Sequence, residues 1–470
     1  MAKPQKTQVL DLSKFDLGEL DASFDQNFLQ YAISLPILNV VKSKGKSFIV
    51  GPKGSGKTGI RLKIGAELTP KRVINLSEGE GFELKDLGTN NPNSMKKKIE
   101  AYIIGRIFEW VCINKKDDAD NIESFRKKPF YGFLKKVAES TKLKTPFFEI
   151  AIGDLFPEEK KNSVSYLLSS DFTDWIRQSV KDEGLFVLID DIDMFVSTEQ
   201  GPERRVVLEQ LLYAVFDLNL GIFKRDIWVV AFLKSEIFRE IRKVATELDK
   251  VRQYIEPIAW SSDNLKLAVK DRIEWNVRQQ GLDGTEFPWI KIFAHSSEKE
   301  IDAFFDKLLS MAVNGPRNAF DLMRRCLNDA AKSKDKALSE KHIDNVIFQY
   351  GEDVLNNLSS FYQQVYPDID GLIDIVFRGF DSEFKRNELE NRIKSEFLFD
   401  SDKRRQFGHT WPAKSTAFKL IEIFYEIGII GVLHKNTKQF AYSFAEPEAR
   451  LAADDKLNVH PGLRSFLETS

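Results

Sequence analysis

The stretch "FIVGPKGSGKTGI", residues 48–60, constrains the fold of this chain more than any other. An apolar run of strand character enters a glycine-rich loop, and a Lys-Thr pair then opens a helical segment, "TGIRLKIGAEL". The loop fits GxxxxGK[ST] as Gly51-Pro52-Lys53-Gly54-Ser55-Gly56-Lys57-Thr58, followed by Gly59. A backbone can wrap a phosphate chain only if its N–H groups point inward and no Cβ blocks close approach, which is why glycines recur. The helix that starts near Gly56 aims its free N–H groups at the same anion. Lys57 is then placed to neutralise phosphate charge, and the Thr58 hydroxyl to ligate Mg²⁺.

A loop of this kind needs a second strand ending in acid, because the cation is held by waters and by a carboxylate across the sheet. "GLFVLIDDIDMFV", residues 184–196, supplies it: Leu185 to Ile189 is the continuous apolar run of a doubly buried parallel strand, and it ends in Asp190 and Asp191. Asp190 is assigned to the magnesium shell and Asp191 to orienting the attacking water. Asp193, also at this strand end, is read as the cap of the following helix rather than as part of the site. "KRVINLS" reads as another core strand, and "DIWVVAFLKSEIFREI" as a third, whose end at Lys234, Ser235 and Glu236 is where a polar side chain could sense a γ-phosphate. Further on, "VNGPRNAFDLMRRCLNDAA" opens a helix in which Pro316 suits the first turn. The fold class expected is α/β: a P-loop core with a parallel sheet, a helical lid and a C-terminal winged-helix domain.

Composition narrows the function classes. With 470 residues, 42% hydrophobic and 30% charged, the chain is long enough for two or three globular domains. Its formal net charge of -2 confines any nucleic-acid surface to a local patch. Cys112 and Cys326 stand far apart, which argues for a reducing compartment and against a disulfide framework or a zinc site. The apolar runs are strand-sized and the N-terminus lacks a signal-peptide core, so a cytoplasmic protein without a membrane role is expected. No clustered His, Asp and Glu set suggests a nuclease, protease or deaminase.

The order P-loop, acidic strand, polar strand end, arginine before the last core strand and a lid helix carrying "GPR" resembles the AAA+ and STAND divisions of P-loop ATPases. "GPRNAFDLMRR" is similar to the sensor-2 helix of origin-recognition-type initiators. "FLKSEIFREI" with "IEPIAW" and Arg272 also resembles bacterial P-loop ATPases found near restriction and phage-defence genes. The resemblance implies ATP or dATP with Mg²⁺ at the loop and Asp190, Arg317 as sensor 2, and Arg252 as an arginine finger acting on a neighbouring subunit, hence a homo-oligomer. Each arginine also has a plain reading as a surface ion pair. Most AAA+ motors carry Asp-Glu where this chain has Asp190-Asp191, and the shorter carboxylate implies slow, switch-like turnover.

The expected organisation is a P-loop core over 1–260 with a helical insertion near 90–180, a lid over 261–345, a helical linker over 346–369 and a winged-helix-like domain over 370–470. In the insertion, "NSMKKKIEAYIIGRIFEWVCIN" places Ile99, Ile103, Ile107 and Trp110 on one helical face. The lysines that follow, Lys127, Lys128, Lys135 and Lys136, serve either as phosphate contacts or as a solvated face. From residue 370 the pattern is three helices and a hairpin, with Gly428 ending the third helix and "HKNTK" turning between strands. If this domain reads DNA, Lys414 and Lys419 face the groove and Lys435 and Lys438 the phosphates. The third helix is strongly apolar along Phe418, Ile421, Phe424 and Tyr425, so a packing role between subunits stands beside DNA contact. Two function classes follow: an ATPase switch that controls assembly and DNA or partner engagement, or a nucleotide-bound adaptor that recruits a separate effector.

Overall fold

A computed structural model describes residues 10–68, 72–76, 91–114, 164–165, 167–181, 184–190, 202–242, 245, 247–281, 288–293, 297–312, 315–363, 365–408, 410–434, 438–443 and 451–469. The chain divides into two compact units. A sheet unit comprises Ser34–Lys53 and Lys57–Ile258, and a helical unit comprises Met1–Ile33, Gly54–Gly56 and Ala259–Ser470.

The sheet unit runs β1 (Phe48–Gly51), α1 (Lys57–Glu67), β2 (Val73–Leu76), α2 (Pro92–Asn114), α3 (Ser170–Val180), β3 (Leu185–Ile189), α4 (Pro202–Asp217), β4 (Ile227–Lys234) and β5 (Ile255–Pro257). The strands form one five-stranded sheet in the order β2-β3-β4-β1-β5, with every neighbouring pair parallel. The continuous apolar runs of β1, β3 and β4 are buried along their length, as strands covered on both faces require. The core joins these strands to α2, α3 and α4. On α2 the expected stripe of Ile99, Ile103 and Ile107 is buried, but so are Ala101, Tyr102, Ile104, Phe108 and Val111. A one-sided helix was too narrow a reading, because α2 packs against both α3 and α4. Residues 115–163, with the four insertion lysines, lie outside the described residues.

The helical unit continues with α5 (Ser262–Gln279), α6 (Glu298–Met311), α7 (Pro316–Lys332), α8 (Glu340–Tyr362), α9 (Ile369–Phe377), β6 (Glu383–Lys385), α10 (Arg386–Ile393), α11 (Ala417–Glu426), β7 (Ile430–Leu433), β8 (Phe440–Ala441), β9 (Lys456–Val459) and α12 (Pro461–Leu467). Side-chain caps explain where α5 and α6 begin: Ser261 accepts from the Asn264 amide and Ser297 from the Glu300 amide. Pro316 occupies the first turn of α7, as its missing N–H allows. α8 buries Ile343, Ile347, Tyr350, Val354, Leu355 and Leu358 and packs along α7 and α12.

The C-terminal helices carry the expected hairpin of β7 and β8, antiparallel with Val432 opposite Ala441. Residues 435–437 of its turn lie outside the described residues. Two further strands, β6 and β9, complete a four-stranded antiparallel sheet in the order β6-β9-β7-β8. On α11, Leu420, Ile421, Ile423, Phe424 and Tyr425 are buried. Phe418 departs from the expected stripe: it is exposed, and the Arg386 guanidinium lies over its ring at 4.9 Å.

The N-terminal arm, residues 10–33, is held to this unit largely through its main chain. Gln280 bonds both the amide and the carbonyl of Asp11, and Asn276 does the same for Asp16. Arg272 donates to the Leu17 carbonyl and Arg324 to the Gly18 carbonyl. Residues 272 and 276 stand four apart on one face of α5, and Gln280, which caps its C-terminal end, follows four residues later. Among the described residues no helix is long and apolar enough to cross a membrane.

Candidate nucleotide site

β1 delivers the chain into the loop and α1 takes it out at Lys57. Between them Gly54 and Gly56 have φ values of 82° and 87°, the left-handed region in which a Cβ is strained. A Cβ on Gly56 would meet Trp260 and Pro316 only at 3.5 and 3.8 Å, so backbone conformation rather than crowding demands glycine there. The Trp260 indole N–H donates to the Ser55 carbonyl at 2.8 Å and fixes the tip of the loop. The Ser55 hydroxyl oxygen is buried and has no hydrogen-bond partner among the described residues. Such a polar atom in a glycine-shaped loop suits an anionic ligand. The Lys57 ammonium folds back onto the carbonyls of Gly51 and Pro52, at 2.9 and 2.8 Å. Gly51 and Gly59 are buried, Pro52 and Thr58 are half-buried, and Lys53 is exposed.

The parallel register brings the acidic strand to the same edge of the sheet. Gly51 on β1 stands level with Lys234 on β4, and Ile189 on β3 stands level with Ala231 on β4. The loop and Asp190 therefore leave the carboxyl ends of strands separated by β4 alone, the edge at which open parallel sheets bind ligands. Asp190 is only 2% exposed, and its amide donates to the Leu76 carbonyl. One carboxylate oxygen accepts from Arg61 Nε at 3.1 Å, and Arg61 Nη1 donates to the Asn75 side chain at 3.2 Å. Arg61 belongs to α1, one turn beyond Lys57 and Thr58. Asp191 and Asp193 lie outside the described residues, while Ser235 is buried where β4 passes into the helix Ser235–Arg242.

No protein-family model matches the chain, and no curated protein matches it in sequence. Solved structures match it loosely over most of its length. The Aeropyrum pernix ORC1 protein in complex with DNA is 12% identical over 94% of this chain and 91% of that one, with a TM-score of 0.36. The Aeropyrum pernix ORC2 protein, in its ADPNP–ADP complexes, is 12% identical over 94% and 96%, with a TM-score of 0.37. Drosophila ORC bound to DNA is 12% identical over 99% and 95%, with a TM-score of 0.33.

The remaining sequence candidates fall in different settings. Arg252 is exposed at the end of the short helix Leu248–Arg252, just before β5. Arg317 lies in the first turn of α7 and reaches the arm, donating to the Leu20 carbonyl at 3.3 Å with the Asp21 carboxylate at 3.9 Å. Lys414 is exposed in the turn Pro412–Lys414, and Lys419, in the first turn of α11, pairs with Glu422 at 3.0 Å. The Lys438 backbone has a left-handed φ of 57° and its amide closes the hairpin on the His434 carbonyl, whereas Lys435 lies outside the described residues.

Sequence reasoning missed Arg61, Asn75 and Trp260. A signal existed for Arg61, a cation flanked by Ile60 and Ile64 on the buried face of α1. None existed for Asn75, whose part depends on the pairing of β2 with β3.

The residues present fit a nucleoside triphosphate with magnesium. The loop and Lys57 would hold the phosphates, with Thr58 and Asp190 as oxygen ligands. Mg²⁺ draws its other ligands from phosphate and water.

Proposed function

We propose that this chain is an ATP-binding switch of the AAA+/STAND kind, with slow hydrolysis, whose nucleotide state controls oligomerisation and engagement of DNA or a partner protein. The observation that carries it is the pairing of a glycine-shaped loop and Lys57 with a buried Asp190 at one edge of a parallel sheet. Bound magnesium would neutralise phosphate charge and stabilise the leaving group. Lys57 binds phosphate, Asp191 orients the attacking water, Arg317 senses the nucleotide, and Arg252 acts on a neighbouring subunit. The core over 1–260 performs the chemistry, the lid over 261–345 reports on it, and the segment over 346–369 links it to a winged-helix-like domain. That domain engages DNA through Lys414, Lys419, Lys435 and Lys438. A setting in phage defence or DNA maintenance rests on the sequence resemblance alone.

One observation favours a second reading, a non-hydrolysing adaptor that recruits a separate effector. Asp190 is already neutralised by Arg61, which suits holding a nucleotide better than turning it over. A single experiment separates the two: nucleotide binding and steady-state ATP hydrolysis by the purified chain, with and without double-stranded DNA, with Lys57→Ala as blank. The switch predicts binding that Lys57→Ala abolishes and turnover that rises with DNA and assembly. Binding without turnover selects the adaptor, and equal binding by Lys57→Ala rejects both.

A further inference from the structure

Arg61 is fixed on two sides. Its Nε meets Asp190 at 3.1 Å and its Nη1 meets Asn75 at 3.2 Å; Asn75 lies within β2 and Asp190 just past the end of β3, the strand that pairs with it. Arg61 is 9% exposed, in a site whose Asp190 is almost fully buried. A buried carboxylate is costly unless paired, so Arg61 offsets the charge of Asp190 and orients it before any ligand arrives. The same charge opposes a second cation at that carboxylate, and at the reduced dielectric of a buried site this repulsion is not screened away.

We propose that Arg61 is a positioning residue that sets the magnesium requirement of the site: it holds Asp190 in place and, as a resident cation, weakens the protein's own grip on Mg²⁺. The metal is then recruited chiefly by the phosphates of the nucleotide, and loading reports the Mg–nucleotide complex rather than free magnesium. This rests on the nucleotide reading given above. A merely structural Arg61 predicts the opposite sign, because loss of a brace loosens Asp190 and raises the magnesium needed.

The test is a magnesium titration of the binding of a fluorescent ATP analogue to the full chain, comparing wild type with Arg61→Gln, Arg61→Lys and Asn75→Ala. Arg61→Gln removes the charge and keeps a hydrogen-bond donor. The midpoint in magnesium is expected to fall by roughly threefold or more in Arg61→Gln. It is expected to stay near wild type in Arg61→Lys and to fall by less in Asn75→Ala. An unchanged or raised midpoint in a folded Arg61→Gln overturns the inference. Should Arg61→Gln not fold, Arg61→Met, which removes the charge and keeps the apolar stem, decides in its place, a lowered midpoint supporting the proposal and an unmoved or raised one overturning it. Wild type that binds no analogue at any magnesium level overturns this inference together with the nucleotide reading. Binding with unmoved midpoints overturns the inference alone.

Discussion

Arg61 of the sheet unit and Arg272 of the helical unit are both withdrawn from water, yet their partners differ in kind. Arg61 answers one buried carboxylate and one amide side chain. Arg272, 5% exposed, donates to the Leu17 carbonyl, lies over the rings of Phe320 and Tyr31 at 3.8 and 4.5 Å, and has the Asp25 carboxylate only at 3.8 Å. A carboxylate can exchange one cation for another, so the Arg61 pair is open to a ligand. Main-chain oxygen and aromatic faces need a planar, multiply donating cation that nothing diffusible replaces. The contrast separates a cation placed for exchange from one built in as structure.

The comparison breaks most plainly at Arg272. Arg272→Ala would leave the buried Asp25 without its cation and the Leu17 carbonyl without its donor. The expected cost is about 3–5 kcal/mol, read as a lowered urea midpoint, with nucleotide affinity following only through lost folding. Since Trp275 on α5 packs edge-to-face on Tyr31, tryptophan fluorescence reports the same loss. A variant as stable as wild type would show that the arm is held without this residue.

Titration separates the two units by sign. Glu100 on α2 is buried, and that burial pushes its pKa up to about 7 from the ordinary 4.5, with Lys96 pulling the other way. The folded state then holds the proton more tightly than the unfolded one. The contribution of Glu100 to stability is greatest at low pH and falls as pH rises from about 4.5 to about 7. Glu100→Gln removes that slope and stabilises the chain at pH 8 by roughly 2–3 kcal/mol, measured as urea midpoints at pH 5 and pH 8. His460 in the helical unit runs the other way. Burial, helped by Arg464, lowers its pKa to about 3, so it stays neutral when folded and stability falls as pH drops from 6.5 toward 3.

What was legible in the sequence follows the reach of each signal. The loop, α1, the buried strands and the start of α7 are written in contiguous residues, where glycine, proline and apolar runs act within a few positions. The Arg61 and Asp190 pair spans 129 residues, and no local pattern ties them. The arm was equally hidden, because α5 and α7 grip it mainly at main-chain atoms, which leave no trace in its side-chain pattern. β9 was missed because "KLNV" is too short to show alternation without the partners that pair with it. The outward turn of Phe418 was missed because a stripe of apolar residues does not say which member an arginine can cover in place of the core.

The smallest expected effect on stability tests where Arg317 belongs in this comparison. Its guanidinium is partly exposed and meets the arm only through the Leu20 carbonyl at 3.3 Å and the more distant Asp21 carboxylate. Contacts of that length at that exposure contribute within about 1 kcal/mol, so Arg317→Ala should leave the urea midpoint nearly unmoved. If Arg317 is a sensor of nucleotide, the variant loses affinity for ATP while the arm keeps its wild-type resistance to limited proteolysis through Gln280, Asn276, Arg272 and Arg324. If it is the last anchor of the arm, residues 20–33 become the cleaved segment and ATP affinity stays as it was. The first outcome groups Arg317 with Arg61, as a cation that changes partners when a phosphate arrives; the second groups it with Arg272, as a fixed clasp on the main chain.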